Sequence, residues 1–133
     1  MDKRYKVFLV EDSPAIRETL VSSVESSERV KIVGFAEAAE EAWAKILENP
    51  VDAVLIDLRL TSGTGFDILM KMRGRDDMKY LVKIVLTNYG SPAFRKRCLA
   101  LGADHFFDKS LEFDGVVDLL NRLAAEPRPA SPG

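Results

Sequence analysis

The chain has 133 residues, 47% of them apolar and 30% charged, with a formal net charge of −2. That length suits one domain with a sizeable buried core. The charge balance excludes the broad basic field that nucleic acid or an anionic membrane surface selects, and Cys98, the one cysteine, excludes an internal disulfide or a cysteine metal cluster. The apolar stretch near the N-terminus is too short for a secretory segment, and no run approaches the roughly 18 apolar residues of a membrane span. A cytoplasmic location is expected.

Short apolar runs alternate with amphipathic stretches. Tyr5–Val10 reads as a buried strand. Ser13 and Pro14 read as N-cap and first helical residue, and Ile16, Leu20, Val21 and Val24 carry a helix to about Ser27. Val30–Ala36 is a second strand. Ala38–Glu48 is a helix with Ala42, Trp43, Ile46 and Leu47 inward, ended by Asn49-Pro50. Val51–Asp57 is strand three, followed by a helix over Gly65–Arg73 that carries Phe66, Ile68, Leu69 and Met72. Leu81–Thr87 is strand four, and Ser91-Pro92 starts a helix to about Leu101, stopped by Gly102. Ala103–Phe107 is a short fifth strand, and Leu111–Ala125 the last helix. Residues 1–125 form the domain, and the Pro-rich residues 126–133 form a tail expected to be disordered. Five strands alternating with five helices predict an α/β fold with a parallel sheet covered on both faces.

In open sheets of this kind ligands sit beyond the C-terminal ends of the strands. Strand one ends on Glu11 and Asp12, strand three on Asp57 and strand four on Thr87, while strand five leads to Lys109. Singly, Asp12 reads as a helix cap, Thr87 as a strand end and Lys109 as a solvated lysine. Together they place three carboxylates, a hydroxyl and an ammonium on one rim. Clustered carboxylates repel unless a cation joins them, and an all-oxygen set suits Mg²⁺. Lysine, hydroxyl and backbone N–H groups can hold phosphoryl oxygens. An aspartate in their midst can act as a nucleophile and form an aspartyl-phosphate.

The stretches "FLVEDSP", "VDAVLIDLRL", "GTGFDIL", "IVLTNYG" and "GADHFFDKS" make the chain resemble the receiver domain of two-component response regulators, over essentially Lys6–Ala125. The resemblance implies a flavodoxin-like, doubly wound sheet of order 2-1-3-4-5 flanked by five helices. It implies Asp57 as phosphoacceptor, and Mg²⁺ on Glu11, Asp12, Asp57 and the backbone carbonyl of Arg59. Thr87 and Lys109 would contact the phosphoryl group. Thr87 and Phe106 would form the switch, Phe106 turning inward from the output face once Thr87 is drawn to the phosphate; the alternative is that Phe106 is a fixed core residue. The implied partners are a sensor histidine kinase or phosphotransfer protein and a downstream protein target. Direct nucleic-acid binding and membrane insertion are not expected, and the oligomeric state is left open. Because the chain ends about eight residues after the last helix, a stand-alone signalling module is expected. It would be no enzyme beyond its own phosphorylation and dephosphorylation. The alternative is a fragment of a longer regulator.

Three positions depart from the family's pattern. Thr61 stands where proline is frequent after the acceptor, Asn88 where a small residue usually follows the switch hydroxyl, and Ser110 where proline usually follows the lysine. A cis peptide without proline costs about 2.5–4 kcal/mol, so Lys109–Ser110 is expected to be trans in a rearranged loop; the alternative is a strained cis form. His105, Cys98, Trp43 and the basic run Arg95-Lys96-Arg97 are read as structural or solvated. Two rival functions lack their signatures. A haloacid-dehalogenase-like phosphatase or phosphotransferase wants a second acid two residues after the nucleophile, where this chain has Arg59. A flavodoxin-like cofactor carrier wants a glycine-rich phosphate loop after strand one.

Overall fold

A computed structural model describes residues 3–88 and 90–127. Strands and helices alternate: β1 (Tyr5–Val10), α1 (Pro14–Glu25), β2 (Val30–Ala36), α2 (Ala39–Glu48), β3 (Ala53–Ile56), α3 (Gly65–Arg73), a 3₁₀ turn (Asp76–Met78), β4 (Val82–Thr87), α4 (Pro92–Ala100), β5 (His105–Asp108) and α5 (Lys109–Ala125). The five strands form one parallel sheet of order β2-β1-β3-β4-β5, as the resemblance implies. Residues 128–133, most of the tail expected to be disordered, lie outside the described residues. Among the described residues no helix is long and apolar enough to cross a membrane.

The period-two alternation of the strands sorts the core into two layers. Val7, Leu9, Ala53, Leu55, Ile84 and Leu86 face one way, onto Leu20 and Val24 of α1 and Val116, Leu119 and Leu120 of α5. Phe8, Val10, Val54, Ile56 and Val85 face the other, onto Ala42 and Ile46 of α2, Ile68, Leu69 and Met72 of α3, and Cys98 of α4. Ser13 and Ser91 cap α1 and α4 by accepting the N–H of Ile16 and Phe94, and Gly102 leaves α4 at φ +102°. The helix α4 stands apart: Cys98 is its one buried residue.

The boundaries shift in instructive ways. Leu47, expected inward, is 44% exposed; it follows Ile46 by one position, about 100° round the helix from the stripe that packs. Helix α1 stops at Glu25, short of Ser27. Strand β3 closes at Ile56, although the Asp57 N–H still donates to the Val10 carbonyl at 2.9 Å. The last helix begins at Lys109, not Leu111, with a break at Glu112 (φ −127°, ψ 19°).

Helix α3 starts directly under the end of β3. Its first residue, Gly65, donates to the Leu58 carbonyl at 2.9 Å. A Cβ at Gly65 would lie 2.5 Å from the Asp57 carbonyl oxygen and 2.9 Å from Ile56 Cγ2. The absence of a side chain is what lets the helix lie against the strand end. Gly65→Ala is expected to destabilise the chain by about 1–3 kcal/mol, the usual scale of overpacking, and to shift the amide resonances of residues 57–59. Urea unfolding and a heteronuclear amide spectrum check both; an unshifted spectrum at full stability refutes the close approach.

Candidate functional site

Three strand ends and one helix start build the rim. The N–H of Glu11 bonds to the Ala36 carbonyl at 3.0 Å, which carries the chain past β1 with its side chain turned inward, 2% exposed. Glu11 Oε2 accepts the Ser13 N–H at 3.2 Å, and Asp12 follows, half-buried. Asp57 leaves β3 at 7% exposure and Thr87 ends β4 at 0%. Lys109, the first residue of α5, sends its ammonium group between the acids, 2.5 Å from Glu11 Oε1 and 2.7 Å from Asp57 Oδ2. One carboxylate oxygen each from Glu11, Asp12 and Asp57 lies within 4.8 Å of the others. The structure therefore brings together all the expected acids with the lysine. Thr87 closes the adjacent strand. Arg59 is exposed, its backbone bridged to Thr64 in the loop that follows.

The electrostatics explain the arrangement. Burial pushes the Glu11 carboxyl above its ordinary value, with nearby Asp57 adding to the rise, and the bond to Lys109 only partly opposes it. Burial alone would lower the Lys109 ammonium, but bonds to Asp57 and Glu11 outweigh it and hold the group above its ordinary value. Formally, three carboxylates face one ammonium, leaving two negative charges on the rim. Asp57 Oδ1 is buried without a hydrogen-bond partner, a costly state for a carboxylate oxygen. An all-oxygen donor set with one unpartnered buried oxygen fits a hard divalent cation.

The departures from the family's pattern each have a local solution. The Thr61 N–H, which proline would lack, donates to the Glu37 carbonyl at 3.0 Å. No cis peptide occurs among the described residues, so Lys109–Ser110 is trans, and the Ser110 N–H donates to Asp108 Oδ1 at 2.9 Å. Asn88 is exposed. Phe106 differs from expectation: its ring is already 4% exposed, packed in the layer beneath α3 and α4, with the Arg95 guanidinium 5.7 Å from the ring centre. Val85, not Thr87, is its register partner on β4.

Sequence reasoning missed Arg17. Its guanidinium donates to the Glu11 carbonyl at 2.9 Å and to Glu37 Oε2 at 3.0 Å, and lies 4.1 Å from the centre of the Phe35 ring. It ties the turn after β1 to the turn after β2. Nothing in the spacing of α1 marks it, because its partners are distant in sequence. Asp108 was missed as well, although an aspartate two residues before a serine at a helix start is a readable cap.

The family model of the response regulator receiver domain matches residues 7–121. The chain is 33% identical to the acid tolerance regulatory protein ActR of Rhizobium meliloti over 120 residues, covering 90% of this chain and 60% of ActR. It is 32% identical to a gliding motility regulatory protein of Myxococcus xanthus over 125 residues, covering 91% of this chain and 15% of that protein. It thus spans less than two thirds of either relative. Among solved structures, a two-component response regulator of the LuxR family from Aurantimonas sp. SI85-9A1 superposes with a TM-score of 0.82 at 26% identity, over 97% of this chain and 91% of that one. The signal receiver domain of a DNA-binding response regulator from Colwellia psychrerythraea 34H shares the fold, with a TM-score of 0.83 at 22% identity over 92% and 99% of the two chains. These likenesses favour the receiver reading over a haloacid-dehalogenase phosphatase, and the chain belongs to the response regulator receiver domain family.

Proposed function

We propose that Asp57 accepts a phosphoryl group from a phosphohistidine of a sensor kinase or phosphotransfer protein, and that the phosphorylated chain signals by binding a protein target. The observation that carries this is the state of the Asp57 carboxylate. Oδ2 is held by Lys109 at 2.7 Å while the buried Oδ1 has no partner. In the transfer, an Asp57 oxygen attacks phosphorus, the P–N bond breaks, and its electron pair returns to the imidazole, which leaves neutral when its second nitrogen carries a proton. The Thr87 hydroxyl and the Lys109 ammonium take the equatorial oxygens. Glu11, Asp12, Asp57 and the Arg59 carbonyl would hold Mg²⁺, which supplies the charge that draws the phosphoryl oxygens to an acidic rim. A solved structural relative, the response regulator Rcp1, is described in an Mn²⁺-bound form. The chain catalyses only its own phosphorylation and dephosphorylation in this reading.

Thr87 and Phe106 remain the proposed switch pair, read out over α4, β5 and α5. With the ring already inside, its inward rotation is not what the phosphoryl group would add. The hydroxyl would instead draw in the chain that leads into α4, a helix held by one buried side chain.

Asp57→Asn, nearly isosteric, is expected to keep the fold and abolish labelling by Mg²⁺ and acetyl phosphate. Intact mass checks it, and a one-phosphoryl adduct on that variant refutes the reading.

Lys109→Ala leaves Glu11 and Asp57 buried without their cation, and breaking such a pair costs about 3–5 kcal/mol. The pH dependence has a definite sign. Glu11 has a folded pKa above its ordinary value, so between the two values the folded chain binds more protons than the unfolded one. Stability from this group therefore falls as pH rises through that window. Removing Lys109 raises the folded pKa further and widens the window upward. Urea unfolding should show a large deficit at pH 7 that shrinks at pH 5; a deficit equal at both argues against uncompensated charge.

A further inference from the structure

Lys109 reaches the acids from the first residue of α5, so its place depends on how that helix starts. Asp108 is the N-cap. Its Oδ1 accepts the Ser110 N–H at 2.9 Å and the Ser110 hydroxyl at 2.5 Å, and its own N–H donates to Glu112 Oε1 at 3.2 Å. The bonds from Ser110 hold the Asp108 carboxyl below its ordinary value. Because Glu112 leaves helical geometry, the first turn rests on these three bonds more than on the helix behind it. The other oxygen, Oδ2, faces Gly90 on the approach to α4. A Cβ at Gly90 would collide with Oδ2 and lie 3.1 Å from Cγ. Thr87, three residues earlier, is the register partner of Asp108.

Resting on the phosphoacceptor reading of Asp57, we propose that Asp108 is the positioning residue of Lys109 and that Gly90, seated against its carboxylate, is where movement of the chain between β4 and α4 reaches the ammonium group. The chain of contact is short. Displacing Gly90 toward β5 forces the Asp108 carboxylate aside. The cap on Ser110 opens, the first turn of α5 loses its anchor, and the Lys109 ammonium shifts between Glu11 and Asp57. A protein that grips α4 would thereby tune the charge at the acceptor without touching it.

The test compares Asp108→Ala, Asp108→Asn, Gly90→Ala and the double variant Gly90→Ala/Asp108→Ala in the full chain. Asparagine caps a helix start as well as aspartate, so it should rescue what alanine loses. Asp108→Ala and Gly90→Ala should slow phosphorylation by acetyl phosphate about five- to tenfold, the factor that corresponds to one lost cap. Asp108→Asn should stay at the parent rate. In the double variant, Gly90→Ala should add little, because the carboxylate it displaces is gone. The ¹H–¹⁵N resonance of the Lys109 ammonium, read without phosphate, should move in Asp108→Ala, Gly90→Ala and the double variant, and stay in place in Asp108→Asn. The proposal is overturned if that resonance keeps its parent position in both, if Asp108→Asn behaves like Asp108→Ala, or if the two single effects simply add. If the parent chain takes up no phosphoryl group, the acceptor reading fails, and the ammonium resonance alone decides the positioning claim.

Discussion

The ammonium group of Lys109, set between two carboxylates that are almost fully buried, is the constraint to which the rim conforms. Taking a carboxylate out of water costs several kcal/mol, and here two of them, Glu11 and Asp57, end neighbouring strands. One cation from the far side of the sheet answers both. Exposed pairs such as Arg75–Asp77 and Lys79–Asp76 are worth little beside it, since water screens them. The order of the strands follows the same logic: β1 and β3 must be adjacent to bring the acids together, and α5, leaving β5, must start where the Lys109 side chain reaches both.

The sheet was readable because its signal is local. Continuous apolar runs such as Val7–Val10 and Ala53–Ile56 cannot be satisfied with one wet face, and serine-proline pairs announce two helix starts. The rim was readable for a different reason: unlike residue types recur at successive strand ends, a coincidence that isolated readings of Asp12 or Lys109 cannot produce. Leu47 and the start of α5 were misjudged where packing, not periodicity, decides. Arg17 was invisible because its bonds to Glu11 and Glu37 exist only once two turns distant in sequence meet.

Thr61 and Ser110 share one lesson. At both, the family's pattern favours a residue that lacks an N–H, and at both this chain uses the N–H it has, on Glu37 and on Asp108. A rigid ring is replaced by a hydrogen bond, to the turn after β2 at Thr61 and within the start of α5 at Ser110. The loop after β3 is thereby fastened to a turn distant in sequence, while the start of α5 is closed on itself.

Helix α4 carries the last consequence. Its single buried side chain is Cys98, at 0% exposure, and burial pushes the thiol up to about 11. At neutral pH almost none of it is thiolate, the form that reacts with oxidants and electrophiles. Packed beneath α4, the sulfur is therefore chemically silent toward both. Cys98 would meet solvent only if α4 left the sheet, so the anchor of this helix is also the atom that would record its departure.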